Sequence, residues 1–467
     1  MCAKSLQSSE PHVRPGGWRA SALRIAAVLI CLLAFGDFVR ALFHFASPIP
    51  VSDDFYAWLE PALQFKSGEH DLITLCFSRH MEHRYYTWRP ILFAILALTG
   101  EVRLDWLIKL AGLTLPITVI GLLVIFCRHN RTELKGRSSC DIFYFAPVAL
   151  LAINYLYGRV FFWASGAVMH LPAVACALGG VVALNSRRRW GLLTAILANT
   201  LALGTGSQGF ALVPAALFLL LVQRRYRAFL IYMAYFFGLA AFYVSGSNFA
   251  AVTGGPGAEL YLGGRLFFFL YNLGYLPGGI IDHAQLAGIR AGLLPAEPLV
   301  GPYWLPVISG LAALGLLAYL ASKRVWSGLP VFFTLALFCL LALALTTFGR
   351  YSPERGPYLM IARYSAYSMF LWICLYLMFV LRASTGQPRT AGRRLSVLLL
   401  LSFAAVVSYA HKSQLPAMRE YVRDGFRRWD AGDLDGLSNL DVDHSHGDDL
   451  LRRALASGIL DPVRLSE

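Results

Sequence analysis

The sequence predicts an all-α fold, a polytopic integral membrane protein of about eleven transmembrane helices. Three observations carry that reading. Of 467 residues, 57% are hydrophobic and 15% charged, against about 25% charged in typical soluble domains. Apolar runs close to the roughly 20 residues needed to cross about 30 Å of hydrocarbon recur along most of the chain. The basic residues between these runs form short clusters, and with eleven crossings every cluster falls on one side. A formal net charge of +14 would otherwise suggest a nucleic-acid partner. Charge confined to short inter-span clusters is an orientation signal instead, so no nucleic-acid binding is expected.

In chain order the expected spans are 22–44, 104–127, 141–158, 168–185, 190–206, 209–223, 227–245, 303–321, 328–347, 365–381 and 394–410. The basic clusters lie before the first span (Lys4, Arg14, Arg19), at 128–137, at Arg187/Arg188/Arg189 and at Arg224/Arg225/Arg227. Two more follow at Lys323/Arg324 and at Arg382/Arg389/Arg393/Arg394. They set a cytoplasmic N-terminus. The long segments 46–103, 246–302 and 348–364 and the tail then share the other side. Residues 1–410 read as one multi-span domain, with amphipathic helices in the loop 46–103. Residues 411–467 read as a short helical tail with amphipathic stretches near 415–430 and 449–459. The eight cysteines show no CxxC or zinc spacing and read as small membrane hydrophobes rather than a disulfide framework.

The densest polar constellation is the first long loop. It opens Ser52-Asp53-Asp54-Phe55-Tyr56 and closes Arg79-His80-Met81-Glu82-His83-Arg84-Tyr85-Tyr86-Thr87-Trp88-Arg89-Pro90. An adjacent acid pair is either solvated surface charge or a general base at the membrane exit, because mutual repulsion tends to raise one pKa. Residues 79–89 are basic on the side that disfavours basic loops. A phosphate or pyrophosphate would offset that, since the planar guanidinium pairs bidentately with phosphate oxygens. The bland alternative is an aromatic belt with snorkelling arginines. Arg350, Arg355 and Arg363 form a second arginine-rich set on the same side. Two such sets facing an acid pair suit a lipid phosphate. Asp37 and Arg40, three apart on the first span, read as a structural pair. His170 reads as a hydrogen-bonded interior histidine. Residues 441–449 of the tail fit no metal-site template and read as a solvated turn. There is no HExxH, P-loop, GxSxG or usable dinucleotide fingerprint, and no cofactor is expected, while the sequence leaves a divalent-metal requirement open.

These residues resemble the GT-C superfamily of membrane glycosyltransferases, which use polyprenyl-phosphate sugars as donors. The shared pattern is an acid pair soon after the first span, a long first outer loop, about eleven spans and a late outer arginine loop. Several segments are similar to a group of bacterial GT-C-like membrane proteins. They are Glu82-His83-Arg84, Trp163-Ala164-Ser165-Gly166, Ser207-Gln208-Gly209-Phe210, Ala362-Arg363-Tyr364-Ser365 and the tail from Asp448-Asp449-Leu450-Leu451 to Gly458-Ile459-Leu460. The resemblance implies Asp53 or Asp54 as catalytic base. It implies Arg363 and Arg350 as donor-phosphate ligands, with Glu82, His83, Arg84 and the nearby Arg89 lining the same cavity. It also implies a bacterial inner membrane, with the C-terminus in the periplasm. Many family members carry a long soluble outer domain, and this tail is far shorter. The expected function is transfer of a sugar from a polyprenyl phosphate to a lipid or glycan acceptor. The alternatives are a transporter or flippase of a lipid-linked sugar, or a non-catalytic protein of this fold.

Overall fold

A computed structural model describes residues 17–80, 83–133, 142–155, 158–245, 262–275, 304–350, 361–384 and 391–466. These residues are overwhelmingly helical. Among them the one β pairing is an isolated bridge between His80 and His83. Among the described residues, seven helices are long and apolar enough to cross a membrane: α1 (Gly17–Phe45), α5 (Leu104–Glu133), α7 (Ala164–Asn185), α10 (Tyr226–Val244), α12 (Trp304–Ser322), α13 (Pro330–Arg350) and α14 (Ile361–Ser384). The chain is thus a multi-pass membrane protein. Large apolar side chains such as Leu33 on α1, Ile117 on α5 and Phe237 on α10 are exposed, as lipid-facing surfaces require.

The first loop folds as three short helices, α2 (Glu60–Lys66), α3 (Leu72–Phe77) and α4 (Arg89–Thr99). Their ends follow local rules. Asp71 caps α3 by accepting from the Thr74 amide at 2.9 Å. Pro90 opens α4 where no amide bond is lost, and Gly100 closes it at φ 76. The other described helices are α6 (Ala146–Ala152), α8 (Gly191–Leu203), α9 (Leu212–Val222), α11 (Leu262–Leu273), α15 (Ala391–Lys412), α16 (Leu415–Asp430), α17 (His444–Ala456) and α18 (Pro462–Ser466).

Two of the eleven expected spans, 190–206 and 209–223, coincide with apolar helices shorter than a full crossing, Gly191–Leu203 and Ser207–Val222, whereas the expected span 394–410 lies within the 22-residue helix α15. At about 1.5 Å per residue, the 13 residues of α8 reach only about 20 Å. Helices α8 and α9 form a shallow hairpin, and the first loop descends to meet its tip. The Thr87 amide donates to the Gly204 carbonyl at 3.4 Å, the Tyr86 hydroxyl to the Thr200 carbonyl at 2.6 Å, and the Ser207 amide to His83 Nδ1 at 3.2 Å. Protein groups thereby satisfy the turn where lipid could not. Among the cysteines, Cys127 is disulfide-bonded, which corrects the all-thiol expectation at that residue. Cys31, Cys76, Cys176, Cys339 and Cys374 are free.

Helix α7 sits at the centre, packed against α5, α8, α9, α13 and α14. Together with α13 and α14 it is the most buried of the seven, whereas α1 and α10 are peripheral. The tail packs onto the first loop. Ser52 donates its amide to the Leu440 carbonyl at 2.7 Å, Val102 to Ile459 at 2.8 Å, and Arg464 pairs with Glu101 at 3.3 Å. The end of the bundle carrying this loop and tail is the loop end. The Asp37–Arg40 pair is present at 3.2 Å, and Asp37 also takes the Lys412 ammonium and, at 2.9 Å, the Tyr155 hydroxyl. One carboxylate therefore ties α1 to the end of α15 and to the non-helical stretch after α6. Asp37→Ala removes all three contacts and is expected to lower stability by about 1–3 kcal/mol. An unchanged thermal midpoint in detergent would refute the tie.

Candidate functional site

Ser52 stands at φ 54, a left-handed conformation that non-glycine residues rarely adopt. Its amide is fixed by Leu440 of the tail. The chain then enters a helical turn, Phe55–Leu59, wound as a π-helix and continuing into α2. Such bulges recur at functional sites. Successive residues on a helical turn point about 100° apart, so Asp53 and Asp54 diverge.

Asp54 turns inward and is 0% exposed. Its Oδ1 accepts from the Ser165 amide and hydroxyl, both at 2.7 Å. Its Oδ2 accepts from the amides of Ala164 at 3.1 Å and Val51 at 3.3 Å. Ala164 and Ser165 are the first two residues of α7, whose terminal amides have no partner within the helix. Asp54 is thus an N-terminal cap supplied from another element, with the favourable sign for the helix dipole. The Trp58 indole donates to the same Ser165 hydroxyl at 2.9 Å, locking the rotamer. Burial pushes the Asp54 carboxyl up to about 7, and the Ser165, Ala164 and Val51 donors oppose that rise.

Asp53 turns outward and is half-buried. Tyr56 is stacked between His80 (ring centroids 6.3 Å, 13° between planes) and His446 of the tail (5.2 Å, 15°). Tyr85 is fully buried, lies 6.1 Å from the His80 ring, and keeps a hydroxyl with no hydrogen-bond partner. Burial pushes the Tyr85 hydroxyl well above its ordinary value, and the charge of Asp53 adds to the rise. Burial also raises Tyr56, with Asp443, Glu60 and Asp53 adding to it. Asp53 therefore lies within electrostatic range of both hydroxyls, near aromatic rings drawn from the loop and the tail.

The histidines of the loop are placed by one tight turn. His80 and His83 exchange backbone hydrogen bonds at 2.9 and 2.8 Å. His80 then faces Tyr56, and His83 reaches the α8–α9 hairpin. A backbone amide can only donate, so His83 Nδ1 is the acceptor from Ser207 and the proton of the neutral ring sits on Nε2. Glu82 lies outside the described residues.

The loop arginines are committed to backbone carbonyls. Arg84 donates to the Tyr243 carbonyl at 3.3 Å, Ser245 at 2.5 Å and Phe77 at 2.9 Å. It closes the C-terminal end of α10, where a cation also suits the dipole. Burial and the charge of Arg79 hold Arg84 below its ordinary pKa. Arg89, 1% exposed, donates to the carbonyls of Leu75 and Ser78, both at 2.7 Å, and to the Ser78 hydroxyl. It closes α3. Burial lowers Arg89 to about 10. Arg79 is the loop cation left without such bonds, its Nε buried and without a partner. Arg350 ends α13 and Arg363 lies in the first turn of α14. Their side chains, and Arg355, lie outside the described residues. His170 is buried in α7 between the rings of Tyr364 and Tyr367, 5.3 and 5.6 Å away.

The structure thus gathers Asp53, Tyr56, His80, Tyr85 and His446 at one place. From the sequence Tyr85 reads as part of an aromatic belt or sugar platform and His446 as part of a solvated turn, and no spacing joins residue 446 to residue 56. Among the described residues, no three His, Cys, Asp or Glu side chains converge as a metal site would require. The tail acids have local work. Asp443 caps α17 by accepting from the Ser445 and His446 amides, and Asp448 takes the Trp429 indole at 2.8 Å and Arg452. Compared with protein-family models, curated proteins and solved structures, the chain matches none.

Asp54→Ala leaves four donors without their acceptor and is expected to destabilise by about 2–4 kcal/mol. A thermal midpoint within a degree of wild type would contradict the cap. A folded-state pKa above the unfolded carboxylate value of roughly 3.9 means that Asp54 favours folding most at low pH. That contribution is lost as pH rises through about 7. Wild-type stability is therefore expected to fall between about pH 4 and pH 7 and to level off above that, and Asp54→Asn to flatten the curve.

Proposed function

We propose that the chain is a membrane glycosyltransferase of GT-C-like fold with eleven crossings, in the inner membrane of a bacterium. Its N-terminus is cytoplasmic, and its loop end and C-terminus are periplasmic. The donor is a polyprenyl-phosphate sugar and the acceptor a lipid or glycan hydroxyl. The observation that carries the reading is the division of labour in the acid pair. Asp54 is consumed by the N-terminus of α7, while Asp53 stands half-exposed beside Tyr56, His80 and Tyr85 without a hydrogen-bonded partner. A carboxylate positioned on a rigid helical turn and free to accept a proton is what a general base needs.

In this reading the acceptor oxygen forms a bond to the anomeric carbon of the sugar. The bond from that carbon to the phosphate oxygen breaks, and the polyprenyl phosphate leaves with the electron pair. Asp53 takes the hydroxyl proton. The aromatic rings of the loop and tail offer apolar faces to a sugar. With Arg84 and Arg89 closing helices, the phosphate falls to Arg363 and Arg350, with Arg79 as the remaining loop cation. Aligned groups at the membrane surface would supply much of the rate by positioning alone.

The test compares the surface glycolipid masses of a gene deletion with strains rescued by wild type, Asp53→Asn and Arg363→Ala at matched membrane levels. Loss of a proton acceptor should slow transfer about 10²–10⁴-fold. The expected result is a glycan lighter by one sugar residue in the deletion and in Asp53→Asn, with an unshifted melting temperature. Full rescue by Asp53→Asn would remove the base assignment and favour transport of a lipid-linked sugar.

A further inference from the structure

At the end of the α8–α9 hairpin away from its tip, two basic turns are pinned side by side. Gln223 Nε2 donates to Asn185 Oδ1 at 3.0 Å. The Arg225 guanidinium donates to the Leu184 carbonyl and, at 3.2 Å, to Gln223 Oε1. These bonds bring Arg187, Arg188 and Arg189 next to Arg224, Arg225 and Arg227. None of the six forms an ion pair among the described residues, where every such pair lies elsewhere. Burial and the nearby Arg187 hold Arg225 below its ordinary pKa, so the cations repel one another in the protein alone.

One further fact separates this cluster from a simple orientation signal. Orientation requires only that charges lie on one side. It does not require two basic turns to be hydrogen-bonded together. Beside the cluster, Trp190 and Tyr226 are 61% and 59% exposed, and the Arg189 guanidinium lies 5.1 Å over the Trp190 ring. Along the helices from there, Leu193 and Leu197 of α8 and Leu230 and Ile231 of α10 are exposed, and α8 packs against α10. Cations, then interfacial aromatics, then an apolar wall follow one another along the direction of a lipid molecule.

We propose that this surface is a binding site for an anionic phospholipid with two phosphates in its headgroup, its acyl chains lying along α8 and α10. Among the described residues, six guanidinia without an acidic partner, five of them also without an internal hydrogen bond, exceed what one phosphodiester balances, and each has the fork that phosphate oxygens match. The apolar wall selects a lipid over free phosphate. The site is independent of the proposed transfer chemistry at the loop end.

The full-length protein in neutral detergent is incubated with diphosphatidylglycerol, phosphatidylglycerol, phosphatidylcholine or inorganic phosphate, and retained ligand is counted by native mass spectrometry. The expected order is diphosphatidylglycerol well above phosphatidylglycerol, with phosphatidylcholine and phosphate near background. The triple variant R187Q/R188Q/R224Q, whose side chains make no internal bonds, should bind diphosphatidylglycerol on the order of a hundredfold more weakly. K323Q/R324Q, at the turn between α12 and α13, should bind as wild type. Equal binding of all lipids by the wild type, or an equal loss in both variants, would show unspecific surface charge and overturn the proposal. So would equal retention of inorganic phosphate. Should the triple variant fail to fold, the wild-type ligand order alone decides.

Discussion

The central helix of the bundle begins on a borrowed carboxylate. An α-helix starts with amides that its own backbone cannot satisfy, and in a membrane protein water is not always there to take them. Asp54 takes those of Ala164 and Ser165, together with the Ser165 hydroxyl. Because α7 packs against five other helices, the height and tilt of its start constrain the whole bundle. Asp54 belongs to the same turn as Asp53, so the interaction that seats α7 also fixes the neighbouring acid.

The loop and the tail form one layer because each lacks a core of its own. Helices α2, α3 and α4 are too short to be stable alone. They gain burial from the bundle beneath and from α16, α17 and α18 above. Arg84 and Arg89 serve this layer by closing α10 and α3 from a distance in sequence. A buried guanidinium with several carbonyl partners is a cross-link among chain ends, and removing it would leave those ends unsatisfied.

Much of this architecture was legible in the sequence. Periodicity-free apolar runs marked the helices well, because long spans depend on composition more than on context. The acid pair and the residues from Arg79 to Arg89 stood out as polar groups dense for a loop. Their roles were not legible. Nothing in Asp53-Asp54 says which side chain turns inward; that depends on Ser52 and on the position of α7. Nothing in Arg84 or Arg89 distinguishes a helix closure from a phosphate ligand, because both uses want a guanidinium fork and differ only in what lies opposite. The shallow crossings at 190–206 and 209–223 had the composition of spans and lacked the length, and the filling of the missing depth by Tyr86 and Thr87 is a tertiary event. His446 reaches Tyr56 only because the tail folds back.

The shortness of α8 bears on the lipid around it. Its exposed Leu193, Leu197 and Leu201 present an apolar wall about 20 Å tall to a hydrocarbon layer of about 30 Å. A bilayer meets such a mismatch by thinning or by drawing polar groups inward. A bilayer beside this face would thin locally, bringing headgroups of the loop-end leaflet toward Tyr86 and Thr87. A long-chain lipid arriving there would find its polar end already lowered toward the aromatic rings.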